Sequence, residues 1–165
     1  MLEPAYYHQE QLHKQCQKFL RPKYKYLNVS SFFNFKLEIK EESWNKEQWV
    51  STNDKNEIVG YFCATLDRDT RNVSSLFIAN FTDNSKTFGV DLWRFIKTLK
   101  RYRMIYWQVT IGNPIEKSYD KICKRLGGKI VGISKNNVRA LDGKLYDVKS
   151  YEVENKEYSK NYEGC

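Results

Sequence analysis

The chain has 165 residues and a formal net charge of +8 at pH 7, and 41% of its residues are hydrophobic. This length suits one domain with its own core and is too short for two of ordinary size. The hydrophobic share excludes a largely disordered chain, and no run of eighteen apolar residues could span a membrane. We therefore expect one soluble, cytoplasmic domain over residues 1–165. Its positive charge suits a polyanionic partner: nucleic acid, a membrane surface or a nucleotide cofactor.

Residues 1–46 are predicted to form a helix followed by a connecting segment. Leu12, Cys16 and Phe19 recur at helical spacing, which predicts an amphipathic helix over residues 7–20. The next stretch, RPKYKY at residues 21–26, interleaves cations with tyrosines. It could hold a nucleic-acid strand by charge and stacking. We favour a connecting segment whose tyrosines pack on the domain, because five side chains make a short pattern.

From residue 47 the apolar pattern changes to a period of two, which is typical of strands. The predicted elements are three strands at 47–53, 57–67 and 73–81, a helix at 87–100, a strand at 104–111, a helix from Asn113-Pro114 to Gly127-Gly128, and two strands at 129–134 and 144–153. An antiparallel meander that continues into strand–helix–strand–helix–strand–strand units predicts an α+β fold with a mixed sheet. Residues 47–153 are its expected core, and residues 154–165 a polar tail.

The cysteines give no sign of a metal centre or a disulfide framework. Cys16, Cys63, Cys123 and Cys165 are scattered, with no CxxC pair and no histidine cluster nearby. We expect reduced thiols and no metal.

One loop-to-helix junction is a candidate anion site. Residues 84–99 read NSKTFGVDLWRFIKTL, a polar turn that opens into an amphipathic helix. Backbone N–H groups in a first helical turn have no intrahelical acceptor and favour a phosphate. Gly89 would allow close approach, and Lys86 would add a positive charge. Asp91 opposes phosphate binding if its carboxylate points into this cradle, and the cradle survives if Asp91 points sideways.

This junction resembles the phosphate loop of the GCN5-related N-acetyltransferase (GNAT) superfamily. In that family the fourth strand ends in a loop of pattern Q/R-x-x-G-x-G/A that opens a helix. Gly89 matches it, Lys86 stands where Gln or Arg is usual, and Asp91 replaces the last small residue. The likeness covers about residues 47–153 and extends to small GNAT-type proteins encoded in bacteriophage and Firmicute genomes. It implies that the pyrophosphate of acetyl-CoA is held by Lys86, Thr87, Phe88, Gly89 and Val90.

A second segment, IGNPIEKSYDKICKRLGGKIVGI at residues 111–133, resembles the GNAT stretch after the fifth strand. The resemblance implies that Asn113 contacts the cofactor and that Tyr119 protonates the departing coenzyme thiolate, a general-acid role open to a phenol. Each residue also has a structural interpretation. Asn113 before proline is suited to capping a helix, and Tyr119 could be a half-buried core tyrosine. The sequence leaves both interpretations open.

The resemblance also implies a mechanism without a covalent enzyme intermediate. The fourth and fifth strands splay apart to admit the pantetheine arm, and an acceptor amine attacks the thioester carbonyl directly. Backbone N–H groups near Asn80, Phe81 and Thr82 are the expected donors to the thioester oxygen. We assign no general base, because His8 and His13 are expected to be solvated residues of the N-terminal helix.

The predicted function is therefore transfer of an acetyl group from acetyl-CoA to an unidentified primary amine. The alternative is a catalytically inactive GNAT-fold protein whose basic, tyrosine-rich surface binds nucleic acid or a protein partner. Between them lies an acetyltransferase whose acceptor amine is carried by a nucleic acid or a protein, which the positive charge would help to dock. The sequence predicts no membrane association and no particular oligomeric state.

Overall fold

The computed structural model of the chain describes residues 1–20, 26, 37–41, 43–82, 86–156 and 158. Within these residues the strands are β1 (Leu2–Pro4), β2 (Lys46–Thr52), β3 (Ile58–Asp67), β4 (Asn72–Asn80), β5 (Met104–Thr110), β6 (Lys129–Arg139) and β7 (Leu145–Glu154). The α-helices are α1 (Gln9–Leu20), α2 (Lys86–Thr98) and α3 (Glu116–Arg125), and short 3-10 turns lie at Ala5–His8 and Leu99–Arg101. None of the described helices is long and apolar enough to cross a membrane.

The predicted core elements are all present, and the α+β class is confirmed. The sequence does not predict β1, because three residues are too few to show a period. It also ends β6 at Ser134, whereas the strand continues to Arg139 through a shift of register between Ser134 and Val138. The polar residues at the shift resemble a turn, and Asn136 has a φ of 49°. The cation–tyrosine stretch at residues 21–25 lies outside the described residues.

The seven strands form one mixed sheet in the order β1-β2-β3-β4-β5-β7-β6. Neighbouring strands are antiparallel except for β4 and β5, which α2 connects as a parallel pair. This parallel pair is short. Only Asn72 pairs with Met104 and Val73 with Ile105, so the two strands separate towards their carboxyl ends.

The helices cover the sheet in two layers. Phe62, Ala64 and Leu66 of β3 pack into one core with the apolar sides of α2 and α3. Tyr61, from the alternate side of the same strand, packs with Leu12 of α1 in a second core. Because successive strand side chains point to opposite faces, β3 serves both cores. Thus α2 and α3 share one face of the sheet, and α1 lies on the other.

Three glycines position the helices on the α2–α3 face: Gly60 at the start of α2, and Gly127 and Gly128 at the end of α3. A Cβ atom at Gly60 of β3 would lie 2.4 Å from the ring of Phe88, so the absent side chain allows the first turn of α2 to seat on the sheet. Gly127 ends α3 with a φ of 73°, and Gly128 donates its N–H to the carbonyl of Cys123 (2.9 Å). This is a left-handed helix stop, as the Gly-Gly pair predicts.

Candidate active site

A cleft of roughly 350 Å³ opens where β4 and β5 part. It is lined by Ser74, Ser75 and Leu76 of β4 and by Tyr106, Trp107 and Gln108 of β5, with neighbouring residues of β6 and β7. Two parallel strands that stay paired would leave no space here, because paired strands lie only about 5 Å apart. The early end of the β4–β5 ladder therefore creates the cleft.

Backbone N–H groups on the β4 side of this cleft can be identified from the β3–β4 ladder. The N–H of Phe81 donates to the carbonyl of Val59 (2.9 Å), which fixes residue 81 as facing β3. Hydrogen bonding alternates along an antiparallel pair. The register pairs Phe62 with Ile78 and Ala64 with Leu76, so the N–H groups of Ile78 and Leu76 are directed away from β3 and towards the cleft.

This geometry changes the predicted set of donors to a thioester oxygen. The N–H of Phe81 is used by β3, and the N–H of Thr82 donates to the Oδ1 atom of Asn80 (3.1 Å). The sequence locates the end of the strand correctly. Of its three predicted donors, Phe81 has the wrong phase and Thr82 is bonded to Asn80, whereas Asn80 has the same phase as Ile78. Leu76 and Ile78 take the place of Phe81 and Thr82 as candidate donors.

The first turn of α2 presents the predicted phosphate loop at the same end of the sheet. Lys86 and Gly89 are exposed, and Thr87 is half-buried. Phe88 is buried, with its ring centroid 5.3 Å from that of Phe62, so only its backbone is placed to meet a ligand. A Cβ atom at Gly89 would find no atom within 4 Å. Packing of the described residues therefore does not require a glycine at this position.

Asp91 points sideways, away from the first turn of its helix. Its side chain is 1% exposed, and its Oδ2 atom accepts a hydrogen bond from the Ser51 hydroxyl on β2 (2.8 Å). Its Oδ1 atom lies 3.0 Å from Nη1 of Arg94, and Oδ2 lies 3.1 Å from the amino group of Met1. Two cations therefore balance this carboxylate, which ties α2 to β2. The obstruction that the sequence allowed is absent from the described residues.

Tyr119 projects from α3 into the core next to the cleft. Its ring packs edge-on against Trp107 (6.4 Å between centroids) and against Tyr151 (6.3 Å). Burial raises the pKa of Tyr119, so the phenol is protonated at neutral pH. The structure thus gives Tyr119 a packing role. Its neighbours are residues that line the cleft.

Trp107 contributes a polar atom, Nε1, that the sequence pattern does not predict to be part of the site. The side chain is 3% exposed, and its Nε1 atom is buried without a hydrogen-bond partner among the described residues. An indole nitrogen can only donate. A buried donor without an acceptor costs about 1–3 kcal/mol, and such groups are rare in native proteins. Trp107 also lines the cleft, which makes this donor a candidate contact for an oxygen of a bound ligand.

Asn113 forms a turn just ahead of α3, whose N-cap position is Ile115 and carries no side-chain cap. Its Oδ1 atom accepts the N–H of Ile115 (3.1 Å), and the Glu116 side chain accepts the N–H of Gly112 (2.9 Å). The second contact resembles a capping box, in which a side chain of the first turn reaches back to the preceding backbone. The oxygen of Asn113 is thus committed to this turn.

A polar cluster beside the cleft was not predicted. Lys149 of β7 lies 2.5 Å from Glu116 and 3.1 Å from Asp120, both on α3, and the Tyr151 hydroxyl donates to Asp120 (2.7 Å). The hydrogen bond from Lys149 lowers the pKa of Glu116, and that from Tyr151 lowers the pKa of Asp120. The spacing of Glu116 and Asp120 places them on one helical face, a detectable signal. Their partner on β7 is visible only in the fold.

The histidines stay outside this site. His8 contacts Glu3, and the Nδ1 atom of His13 lies 2.8 Å from the carbonyl oxygen of Gln9. Both contacts are local to the N-terminal segment. In the part of the chain that the structure describes, no group of three or more potential metal ligands is found.

Solved structures of acetyltransferases share this architecture. A variant of spermidine N-acetyltransferase SpeG from Vibrio cholerae aligns with a TM-score of 0.67 and 15% identity, covering 98% of each chain. RimL, a ribosomal L7/L12 alpha-N-protein acetyltransferase in complex with coenzyme A, gives 0.66 and 12% identity over 93% of this chain and 92% of that one. The acetyltransferase from Salmonella typhimurium that modifies the N-terminal serine of L7/L12 gives 0.62 and 12% identity, over 93% of both chains.

Sequence comparison adds nothing to this structural likeness, since no family model and no curated protein matches the chain. The likeness therefore concerns the fold. It agrees with the strand order, the parting of β4 and β5, and the helix that opens after β4. The chain has the fold of the GNAT acetyltransferases.

Proposed function

We propose that this chain is an acetyltransferase that moves the acetyl group of acetyl-CoA to a primary amine by direct attack. The observation that carries the proposal is the parting of β4 and β5 around a cleft, with the first turn of α2 at the end where they separate. A long, thin thioester arm would fit between the strands, and its diphosphate would reach the helix start.

The first turn of α2 is the proposed seat of the diphosphate. Backbone N–H groups from Lys86 to Val90 would face the anion, and the helix dipole would favour its charge. Gly89 would allow close approach, and the exposed Lys86 would add a cation. The orientation of Asp91 supports this assignment, because its carboxylate is buried against Ser51 instead of facing the anion.

The thioester would lie in the cleft, where its carbonyl oxygen gains negative charge during attack. The N–H groups of Leu76 and Ile78 and the Nε1 atom of Trp107 are the candidate donors to oxygens of the bound arm. The amine nitrogen forms a bond to the carbonyl carbon, the C–S bond then breaks, and the amine proton leaves to solvent. Tyr119 would protonate the thiolate and regain a proton from solvent. Burial keeps that proton in place at neutral pH but also makes the phenol a weaker acid.

For the acceptor we propose a primary amine carried by a macromolecule. The similar structures include a spermidine acetyltransferase and two that act on a ribosomal protein. The net charge of +8 repels a free polycation at long range and attracts a body rich in phosphates or carboxylates. A protein amine within a polyanionic assembly therefore suits this chain better than a polyamine does.

Calorimetric titration with acetyl-CoA tests the proposal. We expect one site per chain and a rise in melting temperature with saturating ligand. Gly89→Trp should weaken binding at least a hundredfold and leave the unliganded melting temperature unchanged, because the space above Gly89 is open. Gly132→Trp is the matched control, since a Cβ at Gly132 of β6 also meets nothing within 4 Å.

Two outcomes would contradict the enzyme. Wild-type protein that gives no heat and no thermal shift with saturating acetyl-CoA would leave the inactive binding protein as the better description. Equal binding by Gly89→Trp and wild type would remove the diphosphate from the first turn of α2. The binding-protein alternative drew on Asp91 as an obstruction, and the buried position of that carboxylate weakens it.

A further inference from the structure

Positive charge on α3 is confined to one side of the helix. Lys117, Lys121 and Lys124 follow one another at spacings of four and three residues, so they form a row along one face. All three are exposed. Tyr119 and Cys123, on the opposite side, are buried in the core. The row is therefore directed to solvent.

The neighbouring helix α2 continues this charged surface. Lys97 is exposed, while Phe95 on the other side of α2 is buried. Arg94 is also exposed, but it pairs with Asp91. The guanidinium of Arg125, at the end of α3, lies 4.1 Å from the centroid of the Trp93 ring on α2. This cation–π contact joins the two helices at their outer edges. Lys97 lies one turn beyond Trp93 on the same side of α2, so it continues the row of lysines on α3.

Each carboxylate of the same two helices is paired within the protein, and only the Asp120 side chain is as much as 40% exposed. Asp91 is buried against Ser51, and Glu116 and Asp120 are held by Lys149. No ion pair among the described residues neutralises Lys97, Lys117, Lys121 or Lys124. An ordinary solvated helix mixes both signs of charge on its outer side. Here the outer side is cationic, and the acids stabilise the fold.

We propose that this surface binds the phosphate backbone of nucleic acid; we call it the basic face and define it as Lys97, Lys117, Lys121 and Lys124. Lysines that contact phosphates release condensed counterions, which drives binding without reading the base sequence. A protein partner would require apolar anchors at the centre of the interface. Of the large apolar side chains on α2 and α3, Val90 alone is markedly exposed among the described residues. The face therefore fits a polyphosphate better than a protein.

The basic face and the acyl-transfer cleft make separate predictions. The cleft lies between two strands, and the row on α3 points outward from the helical layer that covers the sheet. Nucleic acid held on the basic face would keep the enzyme beside amines in a nucleoprotein assembly. Binding there needs neither acetyl-CoA nor a functioning transfer site.

Fluorescence anisotropy with a labelled 20-base-pair duplex, titrated at several salt concentrations, tests the proposal. The triple variant Lys117→Gln, Lys121→Gln, Lys124→Gln should lose at least tenfold in affinity at low salt. Its slope of log K against log salt should be shallower by about 2–3 than that of the wild type, because each phosphate contact contributes about 0.9. Its binding of acetyl-CoA should equal that of the wild type, whatever that value is.

The matched control is Lys40→Gln, Lys55→Gln, Lys144→Gln, which removes the same charge from exposed positions outside both helices. It should keep most of the wild-type affinity and slope. Equal losses in the two triple variants would show that net charge alone attracts the duplex, and would overturn the basic face. Binding of poly-L-glutamate as tight as that of the duplex would overturn the assignment to nucleic acid. Melting temperatures check that both variants are folded.

Discussion

The starts of α2 and α3 are built differently, although both follow strands at the same end of the sheet. The start of α3 is closed by its own chain, since Asn113 and Glu116 accept backbone N–H groups around it. The start of α2 carries an exposed lysine and a glycine with open space above it. Asp91, the carboxylate within α2, is directed to β2 instead. Side chains thus accept backbone N–H groups at the start of α3, whereas the start of α2 is suited to bind a ligand.

Of the variants that test this difference between the two helix starts, Asp91→Ala should have the largest effect, which is on stability. The change removes a buried carboxylate and leaves the Ser51 hydroxyl and two cations without their partner. Because both cations are largely exposed and can rehydrate, we expect a loss of about 1–3 kcal/mol in the free energy of unfolding. Urea denaturation measures it. Asp91→Ala that keeps wild-type stability would show that this tie does not position α2.

Tyr119→Phe tests whether the two helices have different functions. If α2 holds the diphosphate and α3 supplies the proton, the variant should slow turnover by about a hundredfold or more and keep the affinity for acetyl-CoA. Steady-state kinetics with a thiol reagent, combined with calorimetry, measures both quantities. A loss of affinity without a change in turnover would assign Tyr119 to packing against Trp107 and Tyr151.

Asn113→Ala tests whether the start of α3 is only structural. The change removes the side-chain acceptor of the Ile115 N–H, and losing one such hydrogen bond costs about 1 kcal/mol. The free energy of unfolding should fall by that amount, while acetyl-CoA affinity changes less than threefold. Asn113→Asp, which can still accept the N–H of Ile115, should restore stability. A tenfold loss of acetyl-CoA affinity in Asn113→Ala would instead support a direct contact with the cofactor.

The smallest expected effect is a pH dependence of stability, which arises from two carboxylates of α3. The pKa values of Glu116 and Asp120 are lowered in the folded chain. Their stabilisation is therefore present above the unfolded pKa values, about 4, and is lost as the pH falls through the folded ones. Thermal melts from pH 6 to pH 3 should show less acid sensitivity in Lys149→Met than in wild type. Identical acid sensitivity would contradict a role for Lys149.

Local patterns in the sequence were enough for most of the fold. Alternating residues in β3 and the helical spacing in α2 gave element type and approximate ends, and Gly127 marked the end of α3. Contacts between distant residues could not be predicted. The direction of Asp91 depends on Ser51, forty positions earlier, and the partner of Asp120 is a lysine on β7.

The cleft itself is the clearest case of information absent from the sequence. Its existence depends on the β4–β5 ladder ending after Val73 and Ile105. Nothing in the composition of either strand states where pairing stops. Phe81 was misplaced as a donor for the same reason, since the phase of hydrogen bonding in β4 follows from its register with β3. The unpartnered nitrogen of Trp107 likewise required the packed core to be seen.

The seat of Phe88 on Gly60 has a consequence for how this domain tolerates change. Any larger residue at position 60 would lift the aromatic ring and, with it, the opening of α2. A substitution in the middle of the sheet would then be felt first as altered ligand affinity, before the fold itself failed. The absence of a Cβ atom at Gly60 therefore determines how closely α2 packs on the sheet.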